Sequence, residues 1–355
     1  MMLRNRIYYE VKPMVPELVR HRLRQWFATR KRRRIHKTWP ILPGSERPPK
    51  GWRGWPEGKR FAFVLTHDVE RGEGLDKCRQ LMKVDSDLGF CSSFNFVPEG
   101  TYSVSPVLRQ ELVRNGFEVG VHDLNHDGKL YRSRREFRQK AERINHYLKE
   151  WGAVGFRSAF MLHNLEWAHD LNVQYEASTF DTDPFEPQPD GAGTIFPFWV
   201  PRQGESGQAG LELRRDGSKP GNPSVCNVQA ASESQQEGYV ELPYTLPQDS
   251  TMFLILSQKE PNIWFEKLDW VAQHGGMVLV NSHPDYMATN GKWNGSWEYP
   301  IALYRRLLEY VSSRYAGAYW HALPREVAAY WRGVITDRPS QESDRQGREN
   351  VISIP

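Results

Sequence analysis

From Phe61 onward the chain switches repeatedly between two hydrophobic periods, and that alternation limits the folds open to it. Phe61-Ala62-Phe63-Val64-Leu65-Thr66 is a continuous apolar run of strand length, and residues 75–88 carry a helical repeat that ends at Gly89. Residues 90–97 predict the next strand. A helix begins after Ser105 with Pro106 at its first position, where the missing N–H of proline costs nothing. Gly116 closes that helix, and residues 117–121 form the third apolar run. Ser133 followed by Glu136 is a capping-box pair ahead of a helix that runs through Ile144, Tyr147 and Leu148 to Trp151 and stops at Gly152. Residues 154–157 and 173–179 are shorter strand candidates, and 239–244 and 251–257 read as extended. A helix over 261–273 ends at Gly275-Gly276, and Met277-Val278-Leu279-Val280-Asn281 is a deeply buried strand. A helix over 300–315, a strand over 318–320 and a helix over 324–331 complete the pattern. Roughly seven strand–helix units predict an α/β fold, either a parallel sheet or a barrel.

Punctuation sets the boundaries. Residues 1–60 read as a basic arm followed by a proline-rich connector, 61–332 as the barrel, and 333–355 as a polar, disordered tail. Within the barrel, residues 203–238 are rich in Gly, Ser, Gln and Pro and predict a flexible surface insertion. The three cysteines, Cys78, Cys91 and Cys226, are too scattered for a disulfide framework or a thiolate metal site, which fits a reducing compartment. No apolar run reaches membrane-spanning length and the N-terminus lacks an apolar signal centre, so the expectation is a cytoplasmic protein.

A parallel barrel carries its chemistry at the carboxyl ends of its strands, so polar residues should follow the apolar runs. They do. Thr66-His67-Asp68-Val69-Glu70 follows the first run, and His122 and His126 follow the third. Arg157 closes the fourth, Asp181 and Asp183 follow the fifth, and His283 follows the late buried strand. Singly, each has a structural account: Asp68 and Glu70 as helix caps, Arg157 as an ion-pair partner of Asp181, His283 as a turn histidine. Together, five strand ends bearing titratable groups point to one site. Two histidines four apart at a strand end let both rings face one metal ion.

The order of these groups resembles the polysaccharide deacetylase family, the NodB-homology domain of the carbohydrate esterase class, over residues 61–330, and the resemblance implies an α/β fold of the distorted (β/α) barrel type. His122-x-x-x-His126 followed by a late His283 is the most specific part of the likeness. The resemblance implies a divalent metal, usually zinc, held by one carboxylate and two histidines, here Glu70, His122 and His126. It implies Asp68 as the base that takes the proton of the attacking water, and the Phe160 backbone N–H as a donor to the oxyanion. It further implies His283 as the acid for the leaving amine, Arg157 orienting Asp68 and Asp181 tuning His283. The family's adjacent Asp-Asp pair is replaced by Asp68-Val69-Glu70, whose two carboxylates share one side of an extended chain. A second alignment makes Asp68 the ligand and leaves His67 near the base position. The family's Arg-x-Pro-Tyr is matched only by Arg157, and its Asp-Trp is absent, so Asp183 competes with Asp181.

The implied reaction is removal of an N-acetyl group from an amino sugar in a polysaccharide, glycolipid or glycan precursor. The alternatives are hydrolysis of a non-sugar C–N bond on the same barrel, and a non-catalytic barrel that binds glycans or an assembly partner.

The arm stands apart. Residues 1–40 hold 12 Lys and Arg against 2 Glu, while the remainder holds 35 against 41, so the arm carries all the net basicity. Val19, Leu23, Trp26 and Phe27 share one helical face. The first expectation is that this face docks on the barrel or that the arm is simply solvated. The second is contact with an anionic membrane, at the inner face of a cell membrane; nucleic acid comes last, because no nucleic-acid motif accompanies the basic run.

Overall fold

The computed structural model describes residues 17–35, 37–202, 237–294 and 297–336. Nearly all of the expected insertion and tail therefore lies outside the described residues. Strand β1 (Phe61–Val69), buried along its whole length, is the hub of the sheet. It pairs in parallel with β8 (Met277–Ser282) on one side. On the other it pairs with β11 (Tyr319–His321) along its first residues and with β2 (Ser93–Phe96) along its last. From β2 the sheet continues in parallel through β3 (Glu118–His122), β4 (Gly155–Arg157), β5 (Tyr175–Glu176) and β7 (Gly238–Glu241). An antiparallel β6 (Phe198–Pro201) lies outside β7. The far edge then bends back to the start: Thr245 N and Leu246 N donate to Leu279 O at 3.1 and 3.3 Å, and Met277 N donates to Ile195 O at 2.8 Å. These bonds close the sheet loosely, giving the distorted (β/α) barrel. A short pair, β9 (Met287–Ala288) and β10 (Tyr299–Pro300), sits apart from it.

Among the described residues seven α-helices accompany the strands: α1 (Glu17–Arg32), α2 (Gly72–Asp87), α3 (Pro106–Arg114), α4 (Arg134–Trp151), α5 (Asn262–His274), α6 (Ala302–Arg314) and α7 (Pro324–Thr336). Their ends follow local chemistry. Ser105 Oγ accepts from Leu108 N at 3.2 Å to cap α3, and Ser133 Oγ accepts from Glu136 N at 3.2 Å to cap α4, each satisfying an otherwise orphaned donor. The connector packs under the barrel: Trp55 is buried and donates to Gly275 O at 2.8 Å, and Trp52 and Trp55 lie against Trp331 of α7.

Two expectations are corrected here. Residues 251–257 are not extended; Ser250–Ile255 is a wide helical turn in which Leu256 N donates to Thr251 O at 2.9 Å. The run is buried on every side, so it has no hydrophobic period to distinguish strand from helix. The last helix also continues past Gly333 to Thr336, so the tail begins later than its polar composition suggests.

Inside the barrel the inward positions of the upper layer are polar, which gives the site its floor. Thr66 and Asp68 point inward from β1, as do Asn95, Arg157 and Asn281 from the neighbouring strands. Gly120 on β3 makes this possible: a Cβ there would lie 2.1 Å from Asn95 Oδ1, so only glycine lets the Asn95 side chain cross to Asp68. His67 alternates to the outer face, where it meets Ser282 Oγ at 2.8 Å and Asp85 Oδ2 at 3.1 Å. The alignment that put His67 near the base position is therefore wrong, because adjacent residues on a strand face opposite sides.

Candidate active site

Glu70, His122 and His126 converge at the open end of the barrel, each offering an atom within 4.8 Å of the others. His122 ends β3, and its Nδ1 lies 3.1 Å from Arg157 O. A carbonyl only accepts, so Nδ1 carries the proton and Nε2 presents its lone pair to the cluster. That Nε2 is buried and has no hydrogen-bond partner, as does His126 Nε2. A buried, partnerless imidazole nitrogen is costly unless something binds it. Burial lowers the pKa of His122, which keeps it neutral and ligand-ready. His126 Nε2 lies 3.2 Å from Glu70 Oε1 without the alignment of a hydrogen bond, and although burial opposes it, this carboxylate raises the His126 pKa. Burial likewise disfavours ionised Glu70, but His126, His283 and the Tyr286 hydroxyl hold its carboxyl well below the ordinary range. Tyr286 OH donates to Glu70 Oε2 at 2.6 Å. One carboxylate and two imidazoles are a donor set suited to zinc or a similar ion, and the orphaned His122 Nε2 fits one.

Asp68 sits beside this cluster with both oxygens engaged. Asn95 Nδ2 donates to Oδ1 at 2.9 Å, Arg157 Nη1 to the same oxygen at 3.2 Å, and Asn281 Nδ2 to Oδ2 at 2.9 Å. Burial pushes its pKa up, yet Arg157, His122 and His283 outweigh burial and hold it well below the usual carboxylate range. Arg157 is fixed in turn by Thr66 Oγ1 and Asn281 Oδ1, both at 2.7 Å, and by Ala177 O at 2.7 Å. Arg157 and Asp68 are both almost wholly buried, so removing either would strand an uncompensated charge at a cost of about 3–5 kcal/mol.

His283 follows β8 on the other side of Glu70, its Nε2 3.9 Å from Glu70 Oε1. Its Nδ1 lies 2.6 Å from Asp249 Oδ1, its backbone N donates to Asp249 Oδ2 at 2.8 Å, and Tyr299 OH donates to the same oxygen at 3.0 Å. Burial alone would depress the His283 pKa; Asp249, with Glu70 and Asp68 behind it, lifts it to about 10. The ring is thus an imidazolium at neutral pH. This corrects the place given to Asp181. Asp181 is bonded to Lys267 Nζ within the barrel wall, and Asp249 is the carboxylate on His283. Asp183, its competitor, accepts from Tyr244 OH at 2.9 Å and Phe185 N at 2.9 Å, so it does not reach His283 either.

Asp68, Glu70, His122, His126, His283 and Tyr286 border a cavity of about 710 Å³. Phe160 stands on its wall, with its ring centroid 4.7 Å from that of His126. Four non-glycine residues around the site have left-handed backbone: Asp123 (φ 56°), His126 (φ 55°), Phe160 (φ 57°) and Met161 (φ 51°). Such conformations cost on the order of 1–3 kcal/mol each and persist where surrounding structure enforces them. Asp123 does part of this, accepting from Leu124 N at 2.6 Å and Ala159 N at 3.2 Å and so tying the two histidine-bearing and Phe160-bearing turns together. Sequence reasoning missed Asp249, Asn95, Asn281 and Tyr286. Asn281 had a usable signal, a polar residue two positions before His283 in an otherwise apolar strand.

No family model matches the sequence, and no curated protein matches it. Solved structures do resemble the fold. A Mycobacterium smegmatis protein, whose name as a polysaccharide deacetylase is itself provisional, superposes with a TM-score of 0.53 at 16% identity, over 79% of this chain and 92% of its own. Weaker likenesses are the Xyl-CE4 domain of a multidomain xylanase from the hindgut metagenome of Trinervitermes trinervoides and a Bordetella bronchiseptica protein. The first gives a TM-score of 0.40 at 11% identity, over 76% of this chain and 91% of its own. The second gives 0.37 at 17%, over 78% and 86%. At 16% identity the Mycobacterium smegmatis likeness speaks for architecture alone, the distorted (β/α) barrel that the two chains share.

Proposed function

We propose that this protein is a metal-dependent hydrolase that removes an N-acetyl group from an amino sugar, with Glu70, His122 and His126 holding the ion. The observation that carries the reading is the buried Nε2 of His122, which has no partner, converging with His126 Nε2 and the Glu70 carboxylate on one point. A bound divalent ion would polarise the acyl carbonyl and make a water more acidic.

The chain's own residues supply the proton chemistry. Asp68, kept ionised by Arg157 and two asparagines, takes the proton of the attacking water. His283, kept protonated by Asp249, gives its Nε2 proton to the departing nitrogen, which leaves poorly from an amide unless protonated. The Phe160 turn, whose ring stands against His126, is assigned the backbone N–H donor to the developing oxyanion. Base and acid are held in opposite charge states at neutral pH by their own partners, as a paired acid–base mechanism requires.

The test is acetate release from N-acetylated amino-sugar oligomers and glycolipids, before and after chelation. The reading expects release that stops on chelation and returns with a divalent ion. Stoichiometric metal with no turnover on any acylated substrate would instead identify a binding barrel.

A further inference from the structure

Helix α1 lies over the rim of the cavity with its apolar side turned away from the barrel. Its contact with the body is made by Ala28, which is buried, by Gln25 Nε2 donating to Leu254 O at 2.8 Å, and by Lys31 Nζ donating to Pro184 O. Val19, Leu23, Trp26 and Phe27 are 47, 49, 56 and 60% exposed. At roughly 100° per residue, Val19, Leu23 and Trp26 lie on the side of the helix opposite Ala28. Of the first expectation, docking or a solvated arm, the docking of this stripe on the barrel is corrected: the helix docks by its polar side and leaves the stripe exposed. Exposed aromatic and aliphatic side chains grouped in this way mark an interaction surface.

Two further observations say what the surface fits. Exposed arginines accompany the stripe, with Arg22 beside Leu23, Arg33 and Arg34 at the helix end, and the Arg30 guanidinium 5.8 Å from the Trp26 ring. The stripe also reaches the mouth of the catalytic cavity, because Phe27 belongs to both, and the cavity rim carries a further exposed aromatic, Trp297, at 39%. A second copy of the chain docked here would bring two strongly basic arms together, each with 12 Lys and Arg against 2 Glu over residues 1–40. An anionic lipid surface instead accepts the apolar stripe below its headgroups and the arginines at its phosphates. No described helix is long and apolar enough to cross a membrane, so the contact is peripheral.

We propose that α1 docks the protein on an anionic membrane surface and holds the cavity mouth at the bilayer, where an acylated amino sugar on a lipid anchor reaches the site. The docking itself stands on α1 alone; the lipid-anchored substrate rests on the functional reading above. Flotation of the full chain with vesicles of phosphatidylcholine, with and without phosphatidylglycerol, tests it. The chain is expected to float with the anionic vesicles and not with the neutral ones. Val19→Ser, Leu23→Ser and Trp26→Ser combined are expected to lower the partition coefficient roughly a hundredfold, at about tenfold or less per side chain removed from lipid. Circular dichroism and metal content of that variant should match the parent. A parent that stays unbound with anionic vesicles overturns the proposal, as does a variant that binds as well as the parent. A parent dimer that the three substitutions dissociate, without flotation, assigns the stripe to a second copy and overturns it too. Metal content and acetate release from a water-soluble substrate are read on the same samples, so a chain that floats but has no hydrolase activity loses the function and keeps the docking.

Discussion

Replacing His122 by alanine is expected to abolish stoichiometric metal binding and to lower kcat/KM by roughly a thousandfold or more. The size follows from the several kcal/mol that a Lewis-acid metal contributes to such a transition state, at about 1.4 kcal/mol per factor of ten. His122 is chosen because its tautomer is fixed: the Nδ1 proton is committed to Arg157 O and Nε2 has no other partner. Removing the ring leaves the Arg157 carbonyl short of one donor, so a small fall in Tm accompanies the loss, about that of one net hydrogen bond. Inductively coupled plasma analysis of the purified variant beside the parent, with a thermal melt, separates the two effects. Full metal content with full hydrolysis would show that the cluster is structural.

The second large effect belongs to His283 and Asp249. His283→Ala is expected to lower kcat by roughly a hundredfold to ten-thousandfold, the usual range for a general acid, with KM little changed. Asp249→Asn is the more informative substitution, because it leaves the ring in place. Asp249 raises the His283 pKa, so the protonated, active form persists up to about pH 10. Removing the negative charge lowers that pKa, and the alkaline limb of the pH–rate profile moves to lower pH by about 1–3 units. The acid limb should stay where it is, because Asp68 is held by Arg157, Asn95 and Asn281, none of which touches Asp249. A profile in Asp249→Asn that falls uniformly without moving its alkaline limb would remove His283 from the acid role.

Much of this was legible in the sequence because the strands are buried and carry their polar residues at one end. His122 and His126 stood out as imidazoles after an apolar run bounded by glycines; the α/β class followed from the alternation of periods, and the barrel from the family resemblance. Glu70 was legible through the family resemblance, with strand geometry in support, since residues two apart share a face; in the structure it lies just past β1, 3.2 Å from His126.

What was not legible depended on long-range contacts. Asp249 lies 34 residues before His283 and begins a wide helical turn that has no sequence period of its own. Asp181 attracted the role because it follows a strand, yet α5 held a contrary signal. Lys267 stands in that helix's apolar stripe between Ile263, Trp264, Leu268 and Val271, and a lysine buried there requires a buried carboxylate. The arm shows the same limit. Its amphipathic pattern predicted a helix, which α1 is, but a pattern tells only that a face seeks cover and not what covers it.

The central claim is that an ion sits between Glu70, His122 and His126. A crystal of the protein grown with zinc, with diffraction collected on both sides of the zinc absorption edge, tests it directly. The account predicts one strong anomalous peak enclosed by Glu70, His122 Nε2 and His126 Nε2, present above the edge and absent below it. An empty cluster in a crystal that shows zinc peaks elsewhere would contradict it.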